Sequence, residues 1–459
     1  MRSSTLRPTE FVPLLAASVV GVYVLVVVGS TAALSDAAAA CGGWPLCQGE
    51  LSTPAVLVAI FHRLVAAVVG VLVVGTVAVG WRDATRRVRG ALLVALLLYP
   101  IQAAVGAVVA TGTGIGRLHL LAAMVIFAAL VLALAWRLEA ETGSDDVPET
   151  VPDPAPPAPE DDAPVSSPSL SGVEHIKATA GAYFRLMKPR LMWLLCLVAG
   201  AGMVLAGTPS VRTVVATLGG GVLAIGASGT FNHVLERDVD KRMDRTSDRP
   251  LATHEVPVQN ALAFGGLLAV ASLWAFLSVN LLTAALGLVA IGFYSIVYTL
   301  ILKPNTVQNT VLGGAAGALP ALIGYAAVTG TVGTVGLVLS GLIFLWTPAH
   351  FYNLALAYRD DYERGGFPMM PVVRGETETR KHILLYLGAT LLGAGALAAV
   401  SDLGWLYGAT TVSLGAVFLW MVVRLHYERS EGAAFRAFHA SNAYLGLVLV
   451  AIVVDGLAV

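Results

Sequence analysis

VRTVVATLGGGVLAIGASGTFNHVLERDVDKRMDRTSDRP, residues 211–250, passes directly from an apolar run into a string of carboxylates and guanidiniums. The run at 211–231 has the roughly 20 residues a helix needs to cross the hydrocarbon core of a bilayer. Four-residue steps rotate a helix by about 400°, so Asn232, Glu236, Asp240 and Asp244 drift only about 40° per step and form one polar stripe. Hard oxygen ligands on one face suit Mg²⁺. Like charges at that spacing repel, so a cation is expected between them. Taken alone, the segment also fits a solvated loop of mixed charge.

The rest of the chain decides the solvent. Of 459 residues, 57% are hydrophobic and 12% charged, against about a quarter charged in ordinary soluble domains. Apolar runs such as Phe11 to Val28, Ala55 to Gly80 and Leu281 to Leu302 read as spanning helices. Arg2 and Arg7 precede the first, as in a signal peptide, but the run is longer than a signal core and no small-residue cleavage site ends it cleanly. Four spans are expected near 11–33, 55–80, 90–111 and 117–137. Nine more are expected near 187–207, 211–231, 257–277, 279–300, 308–328, 332–354, 383–400, 404–424 and 438–457. The fold class is therefore an all-α polytopic membrane protein, a four-helix bundle followed by a nine-helix one. Between them, DDVPETVPDPAPPAPEDDAP cannot bury enough apolar surface to offset its ordering entropy. The expected boundaries are a first domain at 1–138, an acidic Pro-rich linker at 139–175 and a second domain at 176–459.

Lys and Arg in short loops orient the spans in the cell membrane. Arg82, Arg86, Arg87 and Arg89 place the loop after span two in the cytoplasm, and Arg237, Lys241, Arg242, Arg245 and Arg249 do the same for the loop after residue 231. With alternating spans, Lys303, the stretch Arg359 to Lys381 and Arg424 to Arg436 fall on that side too. The N-terminus is then cytoplasmic, and the loop carrying Cys41 and Cys47 lies outside, where a disulfide persists.

A second acidic segment, YRDDYER at Tyr358 to Arg364, also follows directly on an apolar span on the cytoplasmic side. Two acidic loops at one membrane face suit a diphosphate held through bridging Mg²⁺, with Arg and Lys neutralising the remaining charge.

NxxxDxxxD at a span end, followed several helices later by a second Asp-rich loop, resembles the UbiA-type intramembrane prenyltransferases. Within them NHVLERDVDKRMDRTSDRP at Asn232 nearly reproduces the pattern of the protohaem IX farnesyltransferase, or haem O synthase, family. MKPRLMWLL at Met187, YTLILKPNTVQNTVLGGAAGALPALIGYAAVTG at Tyr298 and WTPAHFYNLALAYRDDYERGGFPMMPVV at Trp346 match as well. The resemblance covers about 180–459. It departs at Glu236, where the family usually has Asp, and in the second loop, which offers the adjacent pair Asp360 and Asp361 instead of DxxxD. It implies farnesyl diphosphate and haem B as substrates and Mg²⁺ as cofactor. The implied metal ligands are Asn232, Glu236, Asp240, Asp360 and Asp361, with diphosphate held by Arg237, Lys241, Lys188, Lys303 and Arg359. Asp240, Asp361, Arg237 and Lys241 are then the catalytic set, and His350, an ionisable residue within a span, is a candidate to orient haem.

In the first four spans, His62 and His119 lie at matched depth near the outer end, where facing imidazoles can serve as axial haem ligands. CGGWPLCQG at Cys41, FHRLVAAVVG at Phe61, QAAVGAVVATG at Gln102 and RLHLLAAMVIFAALVLA at Arg117 resemble the first half of haem A synthase. That family has two such halves and usually a Glu three residues before the first His, where this chain has Ala59. Two other functions stay open: prenylation of a quinone or lipid precursor, and non-catalytic haem carriage on His62 and His119. Expected partners are the bilayer, the two substrates, and haem A synthase or a second copy of the chain; no nucleic-acid partner is expected.

Overall fold

A computed structural model describes residues 10–34, 36–41, 43–110, 115–143 and 172–458. Most of the acidic linker, 144–171, lies outside them. The described residues form helices and no strand. Four long helices come first: α1 (Phe11–Leu34), α2 (Pro54–Gly80), α3 (Arg86–Val109) and α4 (Gly116–Thr142). After the linker come α5 (Gly172–Leu186), α6 (Pro189–Ala206), α7 (Val211–Asp240), α8 (Val258–Leu277) and α9 (Leu281–Gly292). The last runs on through a π-helical segment at Phe293–Leu302 to Asn305. Then follow α10 (Asn309–Thr329), α11 (Thr334–Ala357), the short α12 (Arg359–Arg364), α13 (Gly375–Val400), α14 (Trp405–Glu428) and α15 (Glu431–Ala458).

Thirteen of these helices, counting α9 with its π segment as one, are long and apolar enough to cross a membrane. The chain is thus a multi-pass helical protein. Several ends have a local cause. Pro54 and Pro189 open α2 and α6 at the first turn, where a missing N–H costs nothing. Ser210 Oγ accepts from Thr213 N at 3.1 Å, and Asn280 Oδ1 accepts from Thr283 N at 2.8 Å, capping α7 and α9. Several helices outrun their apolar stretch, most of all α7, which continues nine residues past 231, and α13 and α15, which begin seven or more residues earlier than expected. Charged residues there stay helical because they pair or face out, which an apolar window does not register.

The packing falls into two compact units. One comprises Val147–Glu376. In it α6 and α10 approach closely: a Cβ on Gly202 would lie 2.3 Å from Ala321 O, and one on Gly324 2.0 Å from Ala199 O. Small residues permit such backbone contact where lipid supplies no hydrophobic drive between helices. Ser272 Oγ donates to Gly220 O at 2.7 Å and ties α8 to α7.

The other unit combines Met1–Asp146 with Thr377–Val459. Helix α1 packs against α2, α4 and α14, with Tyr23 against Phe127 at a ring separation of 5.7 Å. Lys381 Nζ meets Glu139 Oε1 at 2.8 Å, and the Arg429 guanidinium donates to Thr142 O. The last three spans are thus grouped with the first four, so packing divides the chain differently from the boundary drawn at the linker. Composition marks where the covalent chain loses apolar character, not which helix faces meet. Cys41 and Cys47 are joined in a disulfide of this unit.

Candidate functional site

Because α7 stays helical to Asp240, it carries Asn232, Glu236 and Asp240 on one face, and all three are buried, at 2%, 5% and 2% exposure. Three like-spaced acceptors in a buried stripe demand cations. Lys303 Nζ sits 2.6 Å from Glu236 Oε1. Arg249 Nη1 donates to both oxygens of Asp240 at 2.8 Å and lies 3.8 Å from Glu236 Oε2. Lys188 Nζ donates to Asn232 Oδ1 and, at 3.2 Å, to the Tyr294 hydroxyl.

Lys188 is held with a left-handed backbone, φ 55°, just ahead of Pro189. A conformation of that kind persists only where its surroundings over-determine it. Its enclosure, with Arg249 nearby, pushes the ammonium down to about 7 against the pull of Glu236 and Asp240. Three basic side chains, Lys188, Lys303 and Arg249, thus meet two carboxylates, Glu236 and Asp240, and one amide.

The remaining expected residues are placed differently. Asp244 lies beyond the end of α7, its side chain 88% exposed and paired with Arg364 at 2.6 Å. Asp361 is buried, but its oxygens accept from the backbone N–H groups of Asp244 at 2.8 Å and Arg245 at 3.1 Å, and from Arg364. It staples the second loop to the turn after α7. Asp360, one residue earlier on α12, is exposed. Adjacent helical residues point about 100° apart, so an Asp-Asp pair sends only one carboxylate inward. Asp360 and Asp361 thus do not join the Asn232 stripe.

The expected cations divide in the same way. Arg237 follows Glu236 by one residue, is 43% exposed at its side chain and pairs with Asp238 at 3.4 Å. Lys241 follows Asp240 and is exposed. Arg359 faces Glu376 at 3.8 Å. Lys188 and Lys303 do meet the stripe, as expected. His350 lies within α11, its ring stacked on Trp346 at 4.3 Å.

Four residues of the site were not singled out from the sequence: Arg249, Arg245, Tyr294 and Thr299. Arg245 lies over the rings of Tyr358 and Tyr362 at 5.4 and 5.6 Å, and burial pushes the Tyr362 hydroxyl up. The two arginines stand inside the quoted RTSDRP, so the motif held the signal. Thr299 Oγ1 accepts from Asn232 Nδ2 at 3.0 Å, a contact that no helical periodicity of 3.6 indicates.

In the other unit, His62 of α2 and His119 of α4 face one another with ring centroids 6.4 Å apart and planes at 68°. Among the described residues neither Nδ1 has a hydrogen-bond partner. Glycines back both rings: a Cβ on Gly29 would sit 3.3 Å from His62 Cε1, and one on Gly106 3.0 Å from His119 Cε1.

A buried oxygen stripe ringed by cations thus stands at one end of a helical bundle. The UbiA prenyltransferase family matches residues 193–446. Protoheme IX farnesyltransferase 1 of Natronomonas pharaonis is 76% identical over 454 residues, covering 99% of this chain and 100% of that protein. Protoheme IX farnesyltransferase of Haloarcula marismortui is 66% identical over 456 residues, 98% of each chain. Among solved structures, a digeranylgeranylglyceryl phosphate synthase superposes with a TM-score of 0.52 at 13% identity, over 62% of this chain and 100% of that one, a likeness of fold. The chain belongs to the UbiA prenyltransferase family and, within it, to the protohaem IX farnesyltransferases.

Proposed function

We propose that this chain transfers the farnesyl group of farnesyl diphosphate to a vinyl group of haem B, giving haem O. The bond from the farnesyl C1 to the diphosphate oxygen breaks, and the terminal vinyl carbon bonds to C1. Water then adds to the resulting haem cation and releases a proton, leaving a hydroxyethylfarnesyl side chain. The observation that carries the reading is the buried Asn232, Glu236 and Asp240 stripe facing Lys188, Lys303 and Arg249.

Two carboxylates and an amide oxygen form a hard donor set that fits Mg²⁺, and Mg²⁺ bound there polarises the diphosphate as a leaving group. Lys303 and Arg249, which pair with Glu236 and Asp240 here, would be the cations that neutralise phosphate oxygens were those carboxylates to hold the metal. Lys188, already aimed at the site, adds a third. Arg237, Lys241, Arg359 and Asp360 face elsewhere and are left out of this proposal. The orientation argued from Lys and Arg puts this end of the bundle at the cytoplasmic face. Purified protein with farnesyl diphosphate and Mg²⁺ is expected to release diphosphate rapidly only when haem B is added. Equal release with an aromatic quinone precursor in place of haem would assign the other branch of the family.

For the histidine pair we propose a separate bis-histidine haem site. Two imidazoles ligating one iron from opposite sides, each nitrogen about 2 Å away, have ring centres roughly 6 Å apart. His62 and His119 meet that spacing, and their glycine backing leaves the rings room. His62→Ala and His119→Ala are expected to abolish a low-spin bis-histidine haem spectrum while leaving farnesyl transfer within about twofold. Loss of transfer in a folded variant would mean that both halves use one haem.

A further inference from the structure

The π-helical segment Phe293–Leu302 lies where α9 faces the stripe, and Tyr294, Thr299 and Lys303 all meet that site. In an α-helix, residue 299 is turned about 140° from residue 294, and residue 303 about 180°. With about 4.4 residues per turn, the i to i+5 register of a π-helix cuts these offsets to roughly 50° and 20°. One helix face thereby delivers three polar groups that α geometry would scatter.

Thr299 fixes more than the helix. Its hydroxyl is 5% exposed as a residue and donates to Tyr294 O at 2.8 Å, the carbonyl five residues back. A carbonyl only accepts, so the single hydroxyl proton is committed there. Toward Asn232 the oxygen can then only accept, and the amide must present Nδ2 to it, at 3.0 Å. Asn232 Oδ1 is left pointing the other way, to Lys188.

We propose that Thr299 is a positioning residue that locks the Asn232 amide with its oxygen toward the metal and diphosphate, with the π register as the device that places it. Without the hydroxyl only the Lys188 contact orients the amide, and once Lys188 turns to diphosphate the NH₂ group is free to face the cation. This rests on the reading of Asn232 as a metal ligand. The test is Mn²⁺ binding followed by electron paramagnetic resonance, with farnesyl thiodiphosphate present, alongside the Mg²⁺ concentration for half-maximal transfer. Thr299→Val is expected to weaken Mn²⁺ binding and raise the Mg²⁺ requirement about tenfold, and Thr299→Ser to restore both to within about twofold of wild type. Thr299→Ala, which leaves space rather than a misplaced methyl, is expected to behave as Thr299→Val does and serves where the valine variant does not fold. Wild-type Mn²⁺ affinity in a folded Val or Ala variant would overturn the proposal. Asn232→Ala separates the two failures: if it weakens Mn²⁺ binding while the Thr299 variants do not, positioning alone is wrong, and if it too has no effect, the metal site is wrong with it.

Discussion

Replacing Asp240 with Asn is expected to lower farnesyl transfer about a thousandfold, roughly 4 kcal/mol of transition-state stabilisation, while the protein remains inserted and folded. Asp240 is 2% exposed and holds Arg249 through both oxygens at 2.8 Å. The amide is isosteric but carries no charge, so it neither holds a divalent cation firmly nor balances Arg249. Asn is preferred to Ala because its oxygen still accepts one hydrogen bond from Arg249 and its side chain fills the same space, which limits the loss of stability that follows from breaking a buried ion pair. Glu236→Asp is expected to stay active, since a carboxylate is retained and the family usually has Asp there. Full activity in Asp240→Asn, measured as farnesylated haem per mole of folded protein, would remove α7 from the catalytic centre.

Asp361→Asn is expected to slow transfer by about ten- to a hundredfold with little change in the Mg²⁺ requirement. The carboxylate accepts two backbone N–H groups, from Asp244 and Arg245, as well as Arg364. An amide offers only one acceptor oxygen, so its NH₂ group opposes one of those N–H groups, and a charge-assisted hydrogen bond costs about 1.5–3 kcal/mol to lose. The turn so loosened carries Arg245 and leads to Arg249, which disturbs the cations without touching a metal ligand. A large rise in the Mg²⁺ needed for half-maximal rate would instead mean that Asp361 ligates the metal in the working enzyme.

These outcomes separate what was legible in the sequence from what was not. Spans were legible because hydrocarbon thickness imposes some 20 apolar residues on every crossing helix. The α7 stripe was legible because four-residue spacing keeps Asn232, Glu236 and Asp240 on one face, and Lys303 and Lys188 meet it as expected. Arg237 and Lys241 each follow a stripe residue by one and turn off the face. Arg249 lies in a turn nine residues past Asp240, where no periodicity applies. Thr299 and Tyr294 sit in a π register that a 3.6-residue reading sends the wrong way. The grouping of α13 to α15 with the first four helices rests on which faces pack together, which apolar composition does not encode.

The central claim is a chemical one and is tested most directly by the mass of the product. Membranes containing the chain, supplied with farnesyl diphosphate, haem B and Mg²⁺, are extracted and their haems separated and weighed. A new pigment heavier than haem B by one farnesyl group and one hydroxyl group, absent with Asp240→Asn, is the predicted result. Unchanged haem B, with the farnesyl group recovered on a quinone precursor or a lipid, would contradict it.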